Sequence, residues 1–341
     1  MHKIKQQPED FVVEEITRLG DGIEIKSKGK YIYCILKKRN YTTLKALQVI
    51  SYELGISLNN IGFAGNKDRT AVTQQAISIY DPGNRVRTKI DKFNSDYGTE
   101  SLNLQFVGHG DCPISLGELG GNKFRIVIRN LGNRELLKLK KSDAKPLKFI
   151  NLYGEQRFSK NNKDIGKLLL RKRFKDAVEL IIKSEGEIEN KVTHYLNNYS
   201  NDYVNALKQI PRKLLLMYVH SYQSYLWNLA AEKILKKTNE NIEIPVIGFG
   251  TDINSIKNAF VKKIVLGIMK KEGITERDFI IRQLPEVSAE GKFRNLFCDV
   301  IEFKIQATED DDLNKGKKKA ALEFTLPKSS YATEVIRQIF Q

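Results

Sequence analysis

The sequence predicts an α+β protein whose sheet domain is assembled from both ends of the chain, with a helix-rich segment inserted between them. Three observations carry this expectation. A length of 341 residues allows about two domains. Hydrophobic residues make up 41% of the chain and recur throughout it, so a packed core is expected and not a disordered chain. Runs rich in β-branched and aromatic residues occupy the first part of the chain, give way to helical periodicity, and return near its end.

The elements follow in order. Residues 10–17 and 22–27 read as short strands around the turn Gly20-Asp21-Gly22, and 31–37 as a third. Thr42-Thr43 opens a helix with Leu44, Leu47, Ile50 and Leu54 at its apolar positions, and Gly55 stops it. Residues 60–64 form a strand entering the loop Gly65-Asn66-Lys67-Asp68-Arg69, and 71–80 a strand leaving it. After Gly120-Gly121-Asn122, residues 123–129 alternate cleanly and place Phe124, Ile126 and Ile128 on one face. Helices are expected over 164–184, 202–209 and 212–236, and mixed structure over 261–284. Strands return at 298–306 and 320–326. Between them the run Glu309–Asp312, followed by Lys315, Lys317, Lys318 and Lys319, reads as a solvated hairpin loop. A short helix over 331–340, capped by Ser329 or Ser330, ends the chain.

Fifty-seven Lys and Arg stand against 41 Asp and Glu, a net charge of +16. Such a surface attracts polyanions, nucleic acid first and an anionic membrane second. The excess is concentrated: residues 138–175 hold thirteen basic side chains against three acidic ones. Phe149, Tyr153, Phe158 and Phe174 are interleaved with them, a pattern suited to backbone contact plus base stacking, although a solvated helix face over core aromatics reads the same way. No apolar run approaches the ~20 residues of a membrane-spanning helix, and the polar start of the chain is no secretory signal. Cys34, Cys112 and Cys298 are odd in number and far apart, which points to a reducing cytoplasm. They show no metal-ligand spacing, and neither do the four histidines.

The loop Gly62–Thr73 concentrates small, charged and β-forming residues around Asp68. Glycines allow a tight turn and a close approach of backbone to ligand, and the carboxylate suits a nucleophile or base. Read alone, the loop is more often a surface turn with an aspartate favoured by turn chemistry.

The run Ala64-Gly65-Asn66-Lys67-Asp68-Arg69-Thr70-Ala71-Val72-Thr73 resembles the signature of the TruD family of tRNA pseudouridine synthases, AGxKDR(x)AVT. Five further stretches resemble that family in the right order. Pro8–Glu15 is similar to PEDFxVxE, and Gly121–Phe124 to GNxF. Asn151–Phe158 is similar to NYFGxQRF, Ser221–Asn228 to YQSxLFN, and Leu326–Thr333 to LPxGS(F/Y)AT. Together the six span residues 8–333, too much of the chain for coincidence.

The resemblance implies a pseudouridine-synthase-like catalytic domain with a mixed or antiparallel sheet, from residues 1–148 and 301–341. An inserted helix-rich α/β TRUD domain would occupy 149–300. It implies an isomerase that turns a uridine of tRNA, uridine 13 in the D-arm region, into pseudouridine without cofactor or metal. Asp68 matches the family's catalytic aspartate; whether it attacks the ribose or abstracts a ribose proton stays open. Phe11, Phe124 and Tyr331 match the rings that hold the flipped base, and Asn122 the polar contact to it. Core packing is the ordinary role of such rings. Whether Lys67 or Arg69 pairs with Asp68 is open, since neighbours on a strand point to opposite faces. Arg157, Arg171, Lys172 and Arg173, in the basic stretch, are candidates for gripping the RNA backbone. The partner is tRNA; the oligomeric state is open, a monomer being compatible. Ser159 stands where the family usually has glycine and Ser329 where glycine is common, which puts local loop shape in question. The alternative is a non-catalytic tRNA- or RNA-binding protein retaining the fold. A metal-dependent nuclease built on Glu309–Asp312 has no histidine or distant carboxylate pattern to support it.

Overall fold

Residues 2–97, 101–143, 146–158, 161–184 and 186–341 are described in a computed structural model of the chain. Lys145 and Lys160 of the basic stretch and the glycine-to-Ser159 departure lie outside the described residues. In chain order the elements are β1 Phe11–Thr17, β2 Tyr31–Arg39, α1 Thr43–Leu54, β3 Ile61–Phe63, β4 Val72–Tyr80, α2 Arg87–Tyr97, β5 Leu102–Gly110, β6 Leu119–Leu131, α3 Asn133–Asp143 and β7 Leu147–Ile150. Then come α4 Asn162–Leu170, α5 Phe174–Ile182, α6 Glu187–Asn198, α7 Tyr203–Lys208, α8 Arg212–Leu235, β8 Glu243–Val246, α9 Ala259–Glu272, β9 Lys292–Asn295, β10 Phe297–Asp310, β11 Lys318–Pro327 and α10 Ala332–Phe340.

The chain divides into two compact units, residues 1–149 with 298–341, and residues 150–297. The first is built on a nine-stranded sheet of order β5-β2-β4-β1-β6-β11-β10-β7, with β3 also paired to β4. The β1–β4 pair at its centre is parallel. The β1–β6, β6–β11, β10–β11, β2–β4 and β2–β5 pairs are antiparallel, so the sheet is mixed.

Local chemistry explains the central elements. Along β1 the buried positions Phe11, Val13 and Glu15 alternate with more exposed ones, the period of a strand with one covered face. Thr42 caps α1 by accepting from the Lys45 amide at 3.2 Å, and Gly55 ends it at φ +63°. On β6, Gly121 passes so close to β11 that a Cβ there would lie 2.5 Å from the Leu326 carbonyl oxygen. Two apolar clusters cover one face of the sheet. Ile32, Cys34 and Leu36 pack with Leu47 and Ile50 of α1 and Phe93 of α2. Phe11, Val13, Phe124 and Phe324 pack with Leu139 of α3 and Val335 and Ile336 of α10.

The second unit is organised around α8. Gly166 of α4 abuts it, since a Cβ there would lie 2.1 Å from the Tyr218 carbonyl oxygen. Tyr153 and Asn228 exchange reciprocal hydrogen bonds of 3.0 Å. Ser221 Oγ donates to the Arg157 carbonyl at 2.9 Å. The motifs at 151–158 and 221–228 therefore clasp each other. Their shared presence reports a packing requirement.

Several sequence expectations are corrected. Residues 22–27 form no strand; only isolated bridges Leu19–Ile23 and Lys26–His109 occur, because Gly20 and Gly22 at positive φ spend the segment on turns. The helix expected over 164–184 breaks between α4 and α5. Lys172 takes φ +56°, and the Arg173 and Lys172 amides donate to the Leu168 and Leu169 carbonyls, a Schellman close made without glycine. Neither Ser329 nor Ser330 caps α10; its N-cap is Tyr331 with no side-chain cap bond, and Ser329 sits at φ +67°. That left-handed backbone is one glycine adopts without a Cβ penalty.

The run 309–319 is not a freely solvated loop. Glu309 and Asp310 pair in the ladder with Lys319 and Lys318. Asp311 is buried on Arg129, which also holds Asp10 at 2.8 Å and Asp312 at 2.9 Å.

Candidate active site

At the centre of the sheet, Val13 lies opposite Thr73 on one side and Phe124 on the other. Thr73 in turn lies opposite Lys38, and Glu15 opposite Asn122. Directly opposed residues share a face. Phe11, Val13, Glu15, Lys38, Thr73, Gln75, Asn122 and Phe124 therefore project to one side of the sheet. The polar members, Glu15, Lys38, Thr73, Gln75 and Asn122, form a strip bordered by the two apolar clusters, to one of which Phe11, Val13 and Phe124 belong.

The β3–β4 connection crosses this strip and carries Asp68. Its main chain is fixed at several points. The Lys67 amide donates to Thr43 Oγ1 at 2.9 Å, and Gln75 Nε2 donates to the Gly65 carbonyl at 2.9 Å. Thr43 Oγ1 itself donates to Gln75 Oε1 at 3.1 Å. Lys38 Nζ donates to the Tyr41 carbonyl at 2.6 Å and to the Asp68 carbonyl at 2.9 Å. Lys67 Nζ closes on the Glu15 carboxylate.

The Asp68 carboxylate is left accessible, its side chain 36% exposed, and Oδ2 accepts from Lys5 Nζ at 2.6 Å. The question left open by the sequence is answered by a third residue. Lys67 pairs with Glu15, and among the described residues no carboxylate pairs with Arg69. Lys5 Nζ also lies 4.0 Å from the centroid of the Phe11 ring. Phe11 meets Phe124 edge-on, with centroids 6.1 Å apart, and Phe124 stacks on Phe324 at 5.6 Å. Two buried side-chain oxygens lack a hydrogen-bond partner among the described residues, Asn122 Oδ1 and Thr73 Oγ1, and both belong to this strip. An orphaned buried acceptor is costly, and a ligand N–H would satisfy it.

Asp68, Phe11, Phe124 and Asn122 are thus gathered on one face. Tyr331 lies at the start of α10, just beyond the β11 segment whose Leu326 faces Asn122. Phe11 and Phe124 are also core residues, each at most 6% exposed, so neither offers an open ring face. Sequence reasoning missed Lys5, Glu15, Lys38, Thr43 and Gln75. Glu15 carried a legible signal: it continues the inward alternation of Phe11 and Val13.

The four basic candidates lie in the second unit and differ in freedom. Arg157 is built in, with Nε donating to Ser224 Oγ at 3.3 Å. Arg171 donates to the Glu272 carbonyl, and Arg173 pairs with Asp176 at 2.6 Å. Lys172 is exposed and has no carboxylate partner among the described residues.

Among the described residues no group of three or more His, Cys, Asp or Glu is placed to hold a metal ion, and no helix is long and apolar enough to cross a membrane.

Comparison with known proteins bears on this arrangement. The family described as tRNA pseudouridine synthase D (TruD) matches residues 2–193, 182–245 and 230–339. The chain is 32% identical to the tRNA pseudouridine synthase D of Aquifex aeolicus, over 99% of this chain and 98% of that one. It is 29% identical to a Thermococcus sibiricus protein assigned the same name, over 99% and 94%. A crystal structure of a Methanosarcina mazei protein, also assigned as tRNA pseudouridine synthase D, superposes with a TM-score of 0.69 at 26% identity, covering 99% of this chain and 93% of that one.

Proposed function

The chain belongs to the TruD family of tRNA pseudouridine synthases, and on that premise we propose that it is an isomerase that converts a uridine of tRNA, uridine 13 in the D-arm region, to pseudouridine, with Asp68 as its essential carboxylate and no cofactor or metal. The observation that carries the reading is the Asp68 carboxylate itself. It is accessible, paired to Lys5, and set beside the Phe11 ring on the face that holds the orphaned Asn122 acceptor.

A uridine stacked in folded RNA is out of reach, so it must leave the stack and enter the strip. The Phe11, Phe124 and Tyr331 rings supply apolar walls, and Asn122 Oδ1 accepts an N–H of the uracil edge. Lys5 holds Asp68 by a charge-assisted bond, so the carboxylate presents one fixed geometry to the ribose. Asp68 then either attacks C1′ or removes a ribose proton; in both routes the C1′–N1 bond breaks. The freed uracil rotates and C5 bonds to C1′; in the first route this expels the Asp68 carboxylate from C1′, and in the second the ribose proton is returned. The C5 proton departs and N1 ends protonated, so the reaction is an isomerisation. Packed apolar side chains around the strip keep bulk water from capturing the broken intermediate. Lys172 and Arg173 give the second unit a basic turn for the tRNA backbone. Such chemistry belongs in the cytoplasm, with the tRNA pool.

The test is pseudouridine mapping, by chemical adduct and primer extension, on an unmodified tRNA transcript incubated with the purified protein. One uridine, in the D-arm region, is converted. Asp68→Ala abolishes conversion while tRNA binding persists. Full activity in Asp68→Ala overturns the mechanism, and tRNA binding with no conversion by the wild-type protein supports the non-catalytic reading instead.

A further inference from the structure

Lys38 is the only fully buried lysine among the described residues, 1% exposed, and it makes no ion pair with any of them. Burying an ammonium without a counter-charge is costly. Burial lowers the Lys38 pKa to about 8; the Asp68 charge opposes that fall and Lys67 adds to it. The folded-state value therefore lies below that of the unfolded chain. Lys38 withholds stability at neutral pH, and stability is regained as pH rises from about 8 toward the ordinary lysine range. A methionine would fill the same space at less expense. Packing alone therefore does not account for a lysine at this position.

Its hydrogen bonds show what that is. The nearest hydroxyl across the ladder, Thr73 Oγ1, stays unpartnered. Lys38 reaches two main-chain carbonyls instead, Tyr41 at the entrance to α1 and Asp68 on the loop. The peptide entering Lys67 is already held by Thr43, and the Asp68 carboxylate by Lys5. The Asp68 carbonyl is held by Lys38. With the carbonyl released, the span between the Lys67 amide and the Ala71 carbonyl, which the Asn40 amide holds at 3.2 Å, loses its tie to β2.

We infer that Lys38 is a positioning residue for the proposed reaction: it clamps the Asp68 main-chain carbonyl to that of Tyr41 and so fixes the direction in which the Asp68 carboxylate points at the ribose. The inference rests on the reading of Asp68 as the reacting group. The charged side chains around the clamp are Asp68 and Lys67, the latter engaged by Glu15, and the Asp68 carboxylate is itself paired with Lys5.

Two variants, Lys38→Met and Lys38→Arg, test it in the full-length protein. A reacting carboxylate displaced by about 1 Å loses on the order of 100-fold in rate, so Lys38→Met lowers kcat by about that factor with KM for the tRNA transcript little changed. Lys38→Arg, which keeps a cationic donor, restores part of the loss. Hydrogen exchange supplies a readout independent of turnover: amides of residues 65–71 exchange about tenfold faster in Lys38→Met while those of 31–36 keep their protection. Unchanged kcat overturns the inference. So does a loss of protection spread equally over β2, β4 and the loop, which marks Lys38 as structural only. If the wild-type protein forms no pseudouridine, the proposed activity fails, and unchanged exchange over 65–71 then removes the clamp as well.

Discussion

Lys67 Nζ turns away from its sequence neighbour Asp68 and closes on the Glu15 carboxylate, in a pair whose side chains are 6% and 0% exposed. Glu15 Oε1 also accepts from the Ala76 amide at 3.2 Å. One carboxylate thus joins β1, β4 and the Asp68 loop.

This pair predicts an asymmetry between single and double substitution. Removing one partner leaves a buried charge uncompensated, so Glu15→Leu or Lys67→Met alone costs about 3–5 kcal/mol. The double variant recovers most of that stability in urea unfolding, because both desolvation penalties disappear together. Its conversion of tRNA stays impaired, since the loop has lost an anchor. Equal stability losses in the single and double variants would show that packing, and not charge, is what the pair provides.

The acid side of the stability curve is set in part by Asp311. Burial raises its pKa, but the Asn130 and Leu313 amides, Asn314 and Arg129 together hold the carboxyl down to about 2. A carboxyl with a depressed folded-state pKa contributes stability above its unfolded value, and that contribution is lost as pH falls toward about 2. Asp311→Asn is therefore less stable at neutral pH, and the gap to wild type narrows as pH drops below about 4. Melting temperatures between neutral pH and about pH 2.5 measure this; a constant gap rules out Asp311 as a source of acid sensitivity.

The turn between α4 and α5 makes a prediction about RNA. Lys172 and Arg173 are exposed on a turn built by the left-handed backbone at Lys172. Each phosphate contact contributes about one counterion to the salt dependence of binding. Lys172→Glu with Arg173→Glu weakens tRNA binding and lowers the slope of log K against log salt by about one to two. An unchanged slope places the two residues outside the RNA footprint.

Much of the arrangement was legible because period-two alternation survives wherever a strand has one covered face. Phe124, Ile126 and Ile128 were read as one face and are buried together. The two ends of the chain were read as one sheet, and β6 pairs with β11. What escaped reading was set by long-range contact. In β5, Leu102 and Leu104 point inward, but Gly108 and Gly110 blur the pattern beyond them. The α4–α5 break lacks glycine and looks like continuous helix. Lys5 and Lys38 have no motif of their own near Asp68, and only the fold brings them to it. Arg129 gathers Asp10 and Asp311 from opposite ends of the sequence, and no local window reveals that.

The pairing of β6 with β11 also has a consequence for how the molecule comes into being. During synthesis, Gly121–Leu131 emerges long before Lys318–Pro327, its partner on one side. Until then β6, paired with β1 on its other side, is an open edge with apolar residues on one face and unsatisfied backbone groups toward the missing strand, the kind of surface that templates mispairing. Contacts so distant in sequence are slow to form, because loop closure must precede any reward. The Asp68 loop can be translated and even anchored on Thr43 and Gln75 while the aromatic floor beneath it is still missing Phe324. Competence should therefore arrive late and abruptly, with the last strand, and a nascent chain halted before residue 318 should be a client for chaperones.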